Sequence, residues 1–152
     1  MNKETLTVET DEYGTIWYYN ADDQLHNPNG PAVSYSDGDK YHYINGELHN
    51  PNGPALIWEN GQHKEYYIKG QRHNPNGPAI IRPDGSKSHY INGQLHNPNG
   101  PAVIGSDGGK WHYINGNLLT EAKFKAWQVE QSAPLHNETA TIDGIEYTLT
   151  AK

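Results

Sequence analysis

The sequence predicts a mainly β protein: an array of β-hairpin repeats of about 23 residues each that forms an elongated antiparallel sheet, with one C-terminal capping helix and a final hairpin. Three observations predict it. The stretch Leu48-His49-Asn50-Pro51-Asn52-Gly53-Pro54-Ala55 recurs almost unchanged from Leu25, Arg72 and Leu95, and its histidines, His26, His49, His73 and His96, are 23, 24 and 23 residues apart. That spacing is the period of a repeat array. Between the copies, short apolar runs and aromatic runs alternate with Asp-Gly and Asn-Gly pairs, as strands alternate with hairpin turns. Finally, only 34% of the chain is hydrophobic and its mean hydropathy is -0.93. A thin sheet suits this balance better than a deep core, with 11 tyrosines and 4 tryptophans supplying surfaces that pack on one face and stay wet at the tip.

Taken in order, residues 5–24 read as a degenerate first unit: a hairpin around Asp11 to Gly14 whose second strand, Ile16-Trp17-Tyr18-Tyr19, aligns with later aromatic runs. Terminal repeats diverge in this way because one side of them lacks a neighbour. Four full units follow, 25–47, 48–71, 72–94 and 95–117. In each, a His-Asn-Pro-Asn-Gly-Pro loop leads into an apolar strand such as Ala55-Leu56-Ile57. A turn at Asp37-Gly38, Asn60-Gly61, Asp84-Gly85 or Asp107-Gly108 then leads into an aromatic strand such as Tyr41-His42-Tyr43-Ile44. A second turn, Asn45-Gly46 in the first unit, closes it. The second full unit is one residue longer, and Lys64, absorbed as a bulge, is the expected extra residue. Adjacent Tyr and Ile on the aromatic strands face opposite sides of the sheet.

Residues 1–118 thus form the array and 119–152 a C-terminal cap. Thr120 is placed to N-cap a helix carrying Leu119, Phe124 and Trp127 at helical spacing, expected to shield the last sheet edge. Residues 139–149 alternate around Asp143-Gly144 as a final hairpin.

Composition narrows the function. No cysteine is present, so disulfides and thiolate chemistry are excluded. A net charge of -7 argues against nonspecific binding to nucleic acid or anionic membranes, both of which rely on clustered Lys and Arg. With no apolar signal core at the start and no run long enough to cross a bilayer, the expectation is a soluble, cytoplasmic protein.

Asn45-Gly46, His49, Gly53, Asn60-Gly61 and Tyr67 carry a spacing that resembles the MORN repeat over residues 15 to 118. The chain departs from that pattern by an Asn-Pro inserted between His and Gly and by lacking a Tyr-Glu-Gly element. Leu-His-Asn-Pro-Asn-Gly-Pro-Ala also resembles the LHR-x-x-GPA repeats of proteins of tailed phages and their hosts. The MORN resemblance implies a lightly curved, single-layer array of hairpins that makes protein or lipid contacts and is not catalytic. The phage resemblance implies a host protein, such as a defence protein, as partner and the host cytoplasm as location.

The residues themselves point the same way. Histidines in successive units lie about 10 Å apart, two strand spacings, whereas zinc ligands sit about 2 Å from the ion. The column His26, His49, His73, His96 therefore cannot converge on one metal, and neither metal nor cofactor is expected. The expected role of each loop histidine is a hydrogen bond that pins its own Pro-Asn-Gly turn. No nucleophile elbow, phosphate loop or His-Glu-x-x-His occurs, so no enzyme is expected. The function expected is protein binding, with Tyr43, Tyr67, Tyr90, Tyr113, Trp58, Trp111, His49, His73 and His96 as candidate contacts. The alternative is a small polar ligand, a nucleotide or sugar, held by aromatic and His/Asn groups.

Overall fold

The computed structural model describes residues 5–132 together with the backbone of 138–142 and 145–149. The chain divides into two compact units, Met1–Thr120 and Glu121–Lys152.

The first unit is the repeat array. Its strands are β1 (Thr7–Thr10), β2 (Ile16–Tyr19), β3 (Val33–Ser34), β4 (Lys40–Tyr41), β5 (Tyr43–Ile44), β6 (Glu47–Leu48), β7 (Leu56–Trp58), β8 (His63–Glu65), β9 (Tyr67–Ile68), β10 (Gln71–Arg72), β11 (Ile80–Ile81), β12 (Lys87–Ser88), β13 (Tyr90–Ile91), β14 (Gln94–Leu95), β15 (Val103–Ile104), β16 (Lys110–Ile114) and β17 (Asn117–Leu119). Eleven of them make one antiparallel sheet in the order β1-β2-β3-β4-β7-β8-β11-β12-β15-β16-β17. The strands left out pair as small hairpins, β5 with β6, β9 with β10 and β13 with β14.

In the first three full units the aromatic run therefore serves two sheets, where the sequence suggests one continuous strand; in the fourth it is continuous as β16. Lys40–Tyr41 pairs within the main sheet, the ladder is interrupted at His42, and Tyr43–Ile44 pairs with Glu47–Leu48. The cause is local. Asn45 and Gly46 both have positive φ, 49° and 75°, the geometry of a two-residue type I′ turn, which forces residues 43–44 back onto 47–48. The Asp-Gly turns work differently: only the glycine has positive φ. Gly38 donates to Tyr35 O at 3.1 Å and Tyr35 to Asp39 O at 3.0 Å, a type I turn closed by a left-handed glycine.

Lys64 is not a bulge. It pairs with Ile57 as Lys40 pairs with Ser34. The extra residue of the second unit is taken up by its turn, where Glu59, Asn60 and Gly61 all have positive φ before Trp58 pairs with His63.

Register assigns each residue to a face, because cross-strand partners point the same way. One face of the main sheet carries Trp17, Val33, Tyr41, Leu56, Glu65, Ile80, Ser88, Val103 and Trp111 in a row. The opposite face carries Ile16, Ser34, Lys40, Ile57, Lys64, Ile81, Lys87, Ile104 and Lys110. The core is thin: Val33 and Ile80 are buried, and Ala32, Ala55, Ala79 and Ala102 of the repeated Gly-Pro-Ala are fully so.

In the second unit, α1 spans Glu121–Ser132 and begins one residue after Thr120. Leu119 belongs to β17, opposite His112, and not to the helix face predicted for it. Phe124 and Trp127 stack with centroids 6.2 Å apart. The predicted final hairpin is present as β18 (Glu138–Ile142) paired with β19 (Ile145–Leu149). No helix among the described residues is long and apolar enough to cross a membrane.

Candidate functional site

The loop that repeats most faithfully is occupied with holding itself and its neighbour. Asn50 accepts from Asn52 N at 3.0 Å through Oδ1 and donates from Nδ2 to Pro54 O at 2.9 Å. Asn27, Asn74 and Asn97 do the same. The loop histidine does not pin its own Pro-Asn-Gly turn, as the sequence suggests, but the second turn at the far end of the same unit. Lys69 N donates to His49 Nδ1 at 3.1 Å, and Asn45 N donates likewise to His26 Nδ1 at 3.0 Å. His73 and His96 stand in the same relation to Asn92 and Asn115. An imidazole accepting at Nδ1 carries its proton on Nε2. A loop histidine that accepts at Nδ1 from a backbone N–H, as His49 does from Lys69, is in the wrong tautomer to ligate a metal through Nε2.

Between successive loops lie three related clefts. One, about 540 Å³, is lined by His42, Ile44, His49 and the loops at Asn27 and Asn50. The next, about 470 Å³, has Tyr66, Ile68 and His73 in those places, and the third, about 410 Å³, has His89, Ile91 and His96. His49, His73 and His96 thus line the clefts, while Tyr43, Tyr67 and Tyr90, one residue from Ile44, Ile68 and Ile91, point to the other side of their hairpins. The structure does not gather the predicted histidines and tyrosines into one site.

The tyrosines alternate with residues of the return strands. Tyr43 is paired with Leu48, Tyr67 with Arg72, Tyr90 with Leu95 and Tyr113 with Leu118, and all four rings are half-buried. Where the other units have leucine, Arg72 places its guanidinium 5.6 Å from the ring centres of both Tyr67 and Tyr90. Its Nε donates to Glu65 Oε2 at 3.0 Å, and Tyr67 Oη donates to the same oxygen at 2.8 Å. His63 Nε2 stands 3.4 Å from Oε1. Burial, followed by the bond to the Glu65 carboxylate, pushes the Tyr67 hydroxyl up to about 12.

Sequence reasoning passes over this cluster because Glu65 and Arg72 fall in different units and each looks like a lone exception. The signal is that two departures from the repeat, of opposite charge, occur only seven residues apart, at the end of one unit and the start of the next. Glu65 is committed to three partners, and none of the three clefts is lined by it. The cluster neutralises a buried charge and offers no free acid or base.

Departures from the repeat also mark a row along the Glu65 face. Equivalent positions hold Tyr35, Trp58, Arg82 and Gly105 at the end of the first strand of each unit, and Tyr41, Glu65, Ser88 and Trp111 on the next strand. Tyr35 packs edge-on to Tyr41 at 5.2 Å, Tyr41 edge-on to Trp58 at 6.3 Å, and Trp58 stacks on His63 at 3.8 Å. Trp111 lies over its own turn, where a Cβ at Gly105 or Gly109 would stand 3.3 Å or 2.7 Å from the indole. Tyr35 and Trp111 remain 38% and 42% exposed, high values for residues of their size. Of the predicted contacts, Trp58 and Trp111 belong to this row.

A scan of protein-family models finds none that matches the chain, and no curated protein matches it.

The cleft histidines predict a pH response. Burial, with Lys40 and Lys87 nearby, holds the imidazoles of His42 and His89 below their ordinary value, against a weaker raising effect of the Ala55 and Ala102 carbonyls. A depressed value means that the unfolded chain takes up protons the folded chain refuses. Their contribution to stability is complete above the ordinary value of 6.5 and is lost as pH falls through the folded values. The melting temperature should fall on acidification below pH 6.5. In the double variant His42→Tyr/His89→Tyr, which copies Tyr66 of the second unit, that slope should flatten. An unchanged slope would exclude these two groups as its source.

Proposed function

We propose that the array is a non-catalytic module for binding a protein partner. Its contacts lie along the row of non-repeating residues formed by Tyr35, Tyr41, Trp58, Arg82 and Trp111. The observation that carries this reading is the exposure of Tyr35 and Trp111 on a face where an otherwise uniform repeat changes residue from unit to unit. Architecture explains positions that repeat, but it gives no reason for large aromatics where they do not. Tyr, Trp and Arg are the residues on which binding energy concentrates at protein interfaces. The half-buried Tyr43, Tyr67, Tyr90 and Tyr113 form the neighbouring floor. The MORN-like spacing supports the same class of function, and the resemblance to phage repeat proteins favours a host protein as the partner.

The three clefts support a second reading, a small polar ligand, since their volumes of about 410 to 540 Å³ fall in the range of ligand sites.

The two readings separate experimentally. The variant Tyr35→Ala/Arg82→Ala/Trp111→Ala should melt close to the parent. It should bind a partner captured by the parent at least about tenfold more weakly, as expected for a central hot spot. Equal binding by parent and variant would overturn the row as the interface. A melting temperature raised by a nucleotide or sugar, and insensitive to the triple variant, would favour the clefts.

A further inference from the structure

The face opposite the aromatic row carries an ordered charge that the binding reading does not use. Lys40, Lys64, Lys87 and Lys110 occupy the same position in every full unit, and register puts them in one row with Ile57, Ile81 and Ile104 between them. Lysines of successive units are two strands apart, about 10 Å, and the row from Lys40 to Lys110 extends about 29 Å across six strand spacings. None of the four makes an ion pair within 4.0 Å among the described residues. The next residues on this face along each strand are His42, Tyr66, His89 and His112. Their closeness is felt electrostatically, since Lys40 and Lys87 help to depress His42 and His89.

The row and these neighbours contain no carboxylate, in a chain with 18 acidic residues and a net charge of -7. The acids nearest to the row, Asp37, Asp39 and Glu59, gather at the turns beside Lys40, outside it. Random placement on so acidic a chain would screen the lysines, and simple solubility would be served as well by glutamate at these positions.

We propose that this lysine row is a second docking surface, for an acidic polypeptide segment that presents carboxylates about 10 Å apart with apolar side chains between them. Charge complementarity selects an anionic occupant. The interleaved isoleucines select a polypeptide over a nucleic acid, because a phosphodiester backbone has no apolar group to set against Ile57, Ile81 and Ile104. The surface is independent of the aromatic row, so either can fail without the other.

The test uses the full chain and three fluorescent probes in anisotropy titrations at low and at physiological salt: a 20-residue Glu/Leu/Ala peptide, its Gln/Leu/Ala counterpart and a 20-nucleotide oligo-dT. The expected result is saturable binding of the Glu peptide alone, weakened by salt. It should fall on the order of tenfold or more in Lys40→Gln/Lys64→Gln/Lys87→Gln/Lys110→Gln, since four exposed ion pairs act together. The matching four-fold Lys→Arg variant should retain binding, and Trp111→Ala should leave it unchanged. Circular dichroism melts confirm that the Gln variant folds; if it does not, Lys64→Gln/Lys87→Gln is used, with a smaller loss expected. Preference for oligo-dT, equal binding of both peptides, or indifference to the lysine substitutions would each overturn the proposal.

Discussion

Arg72→Leu lowers the unfolding free energy by about 2 kcal/mol, although leucine is what three of the four copies carry at this position. The substitution strands the Glu65 carboxylate, whose side chain is only 8% exposed, without its cationic partner. Breaking a buried pair costs about 3–5 kcal/mol, and the lower figure here reflects the 39% exposure of the Arg72 side chain. Tyr67 and His63 continue to face the carboxylate, which also limits the loss. Glu65→Ser/Arg72→Leu installs the Ser88 and Leu95 combination found one repeat later and recovers most of the stability. The coupling measured by urea denaturation of the two single variants and the double one should be about 1–2 kcal/mol. Additive losses would show that the two departures from the repeat are independent.

Ala79→Leu costs still more, about 3 kcal/mol. Ala79 is completely buried, and its backbone cannot retreat: its N–H donates to Ser88 O and its carbonyl accepts from Tyr66 N, each at 2.8 Å. Three added carbons must displace neighbours on both sides, at the upper end of overpacking costs. Ile81→Leu, at a half-buried position of the lysine face, should by contrast cost less than about 1 kcal/mol, as volume-conserving swaps do. A loss under about 0.5 kcal/mol for Ala79→Leu, read from the urea midpoint, would mean that the alanine column does not set the packing distance between units.

These two cases divide what is legible from what is not. The repeated Pro-Ala suggests only the start of a strand, whereas folding shows why alanine is required, because burial depends on what lies across from it. The Glu65 and Arg72 pair is visible in the sequence as two unrelated exceptions. Only the register β9–β10, with Tyr67 opposite Arg72, places them together. Similarly, the loop histidine is rightly read as a hydrogen-bonding residue and wrongly assigned its partner, since the bond runs to the turn at the far end of its unit, 20 residues on.

By itself, the sequence determined the repeat length, the strand and turn types, the antiparallel sheet, the terminal hairpin and the helix, all of which follow from local periodicity and from turn residues that tolerate positive φ. It did not show that Lys64 is equivalent to Lys40, Lys87 and Lys110, since it marked Lys64 as the extra residue until register placed it. The tertiary structure decided where each aromatic strand changes partner, which of the candidate contacts share a face, that the predicted histidines and tyrosines lie on opposite sides of their hairpins, and that the row holding the lysines contains no carboxylate. Those outcomes depend on register, because a shift of one residue would exchange the two faces of the sheet. Register in this array is set by contacts between residues 19 to 25 positions apart in the chain, beyond the reach of local pattern.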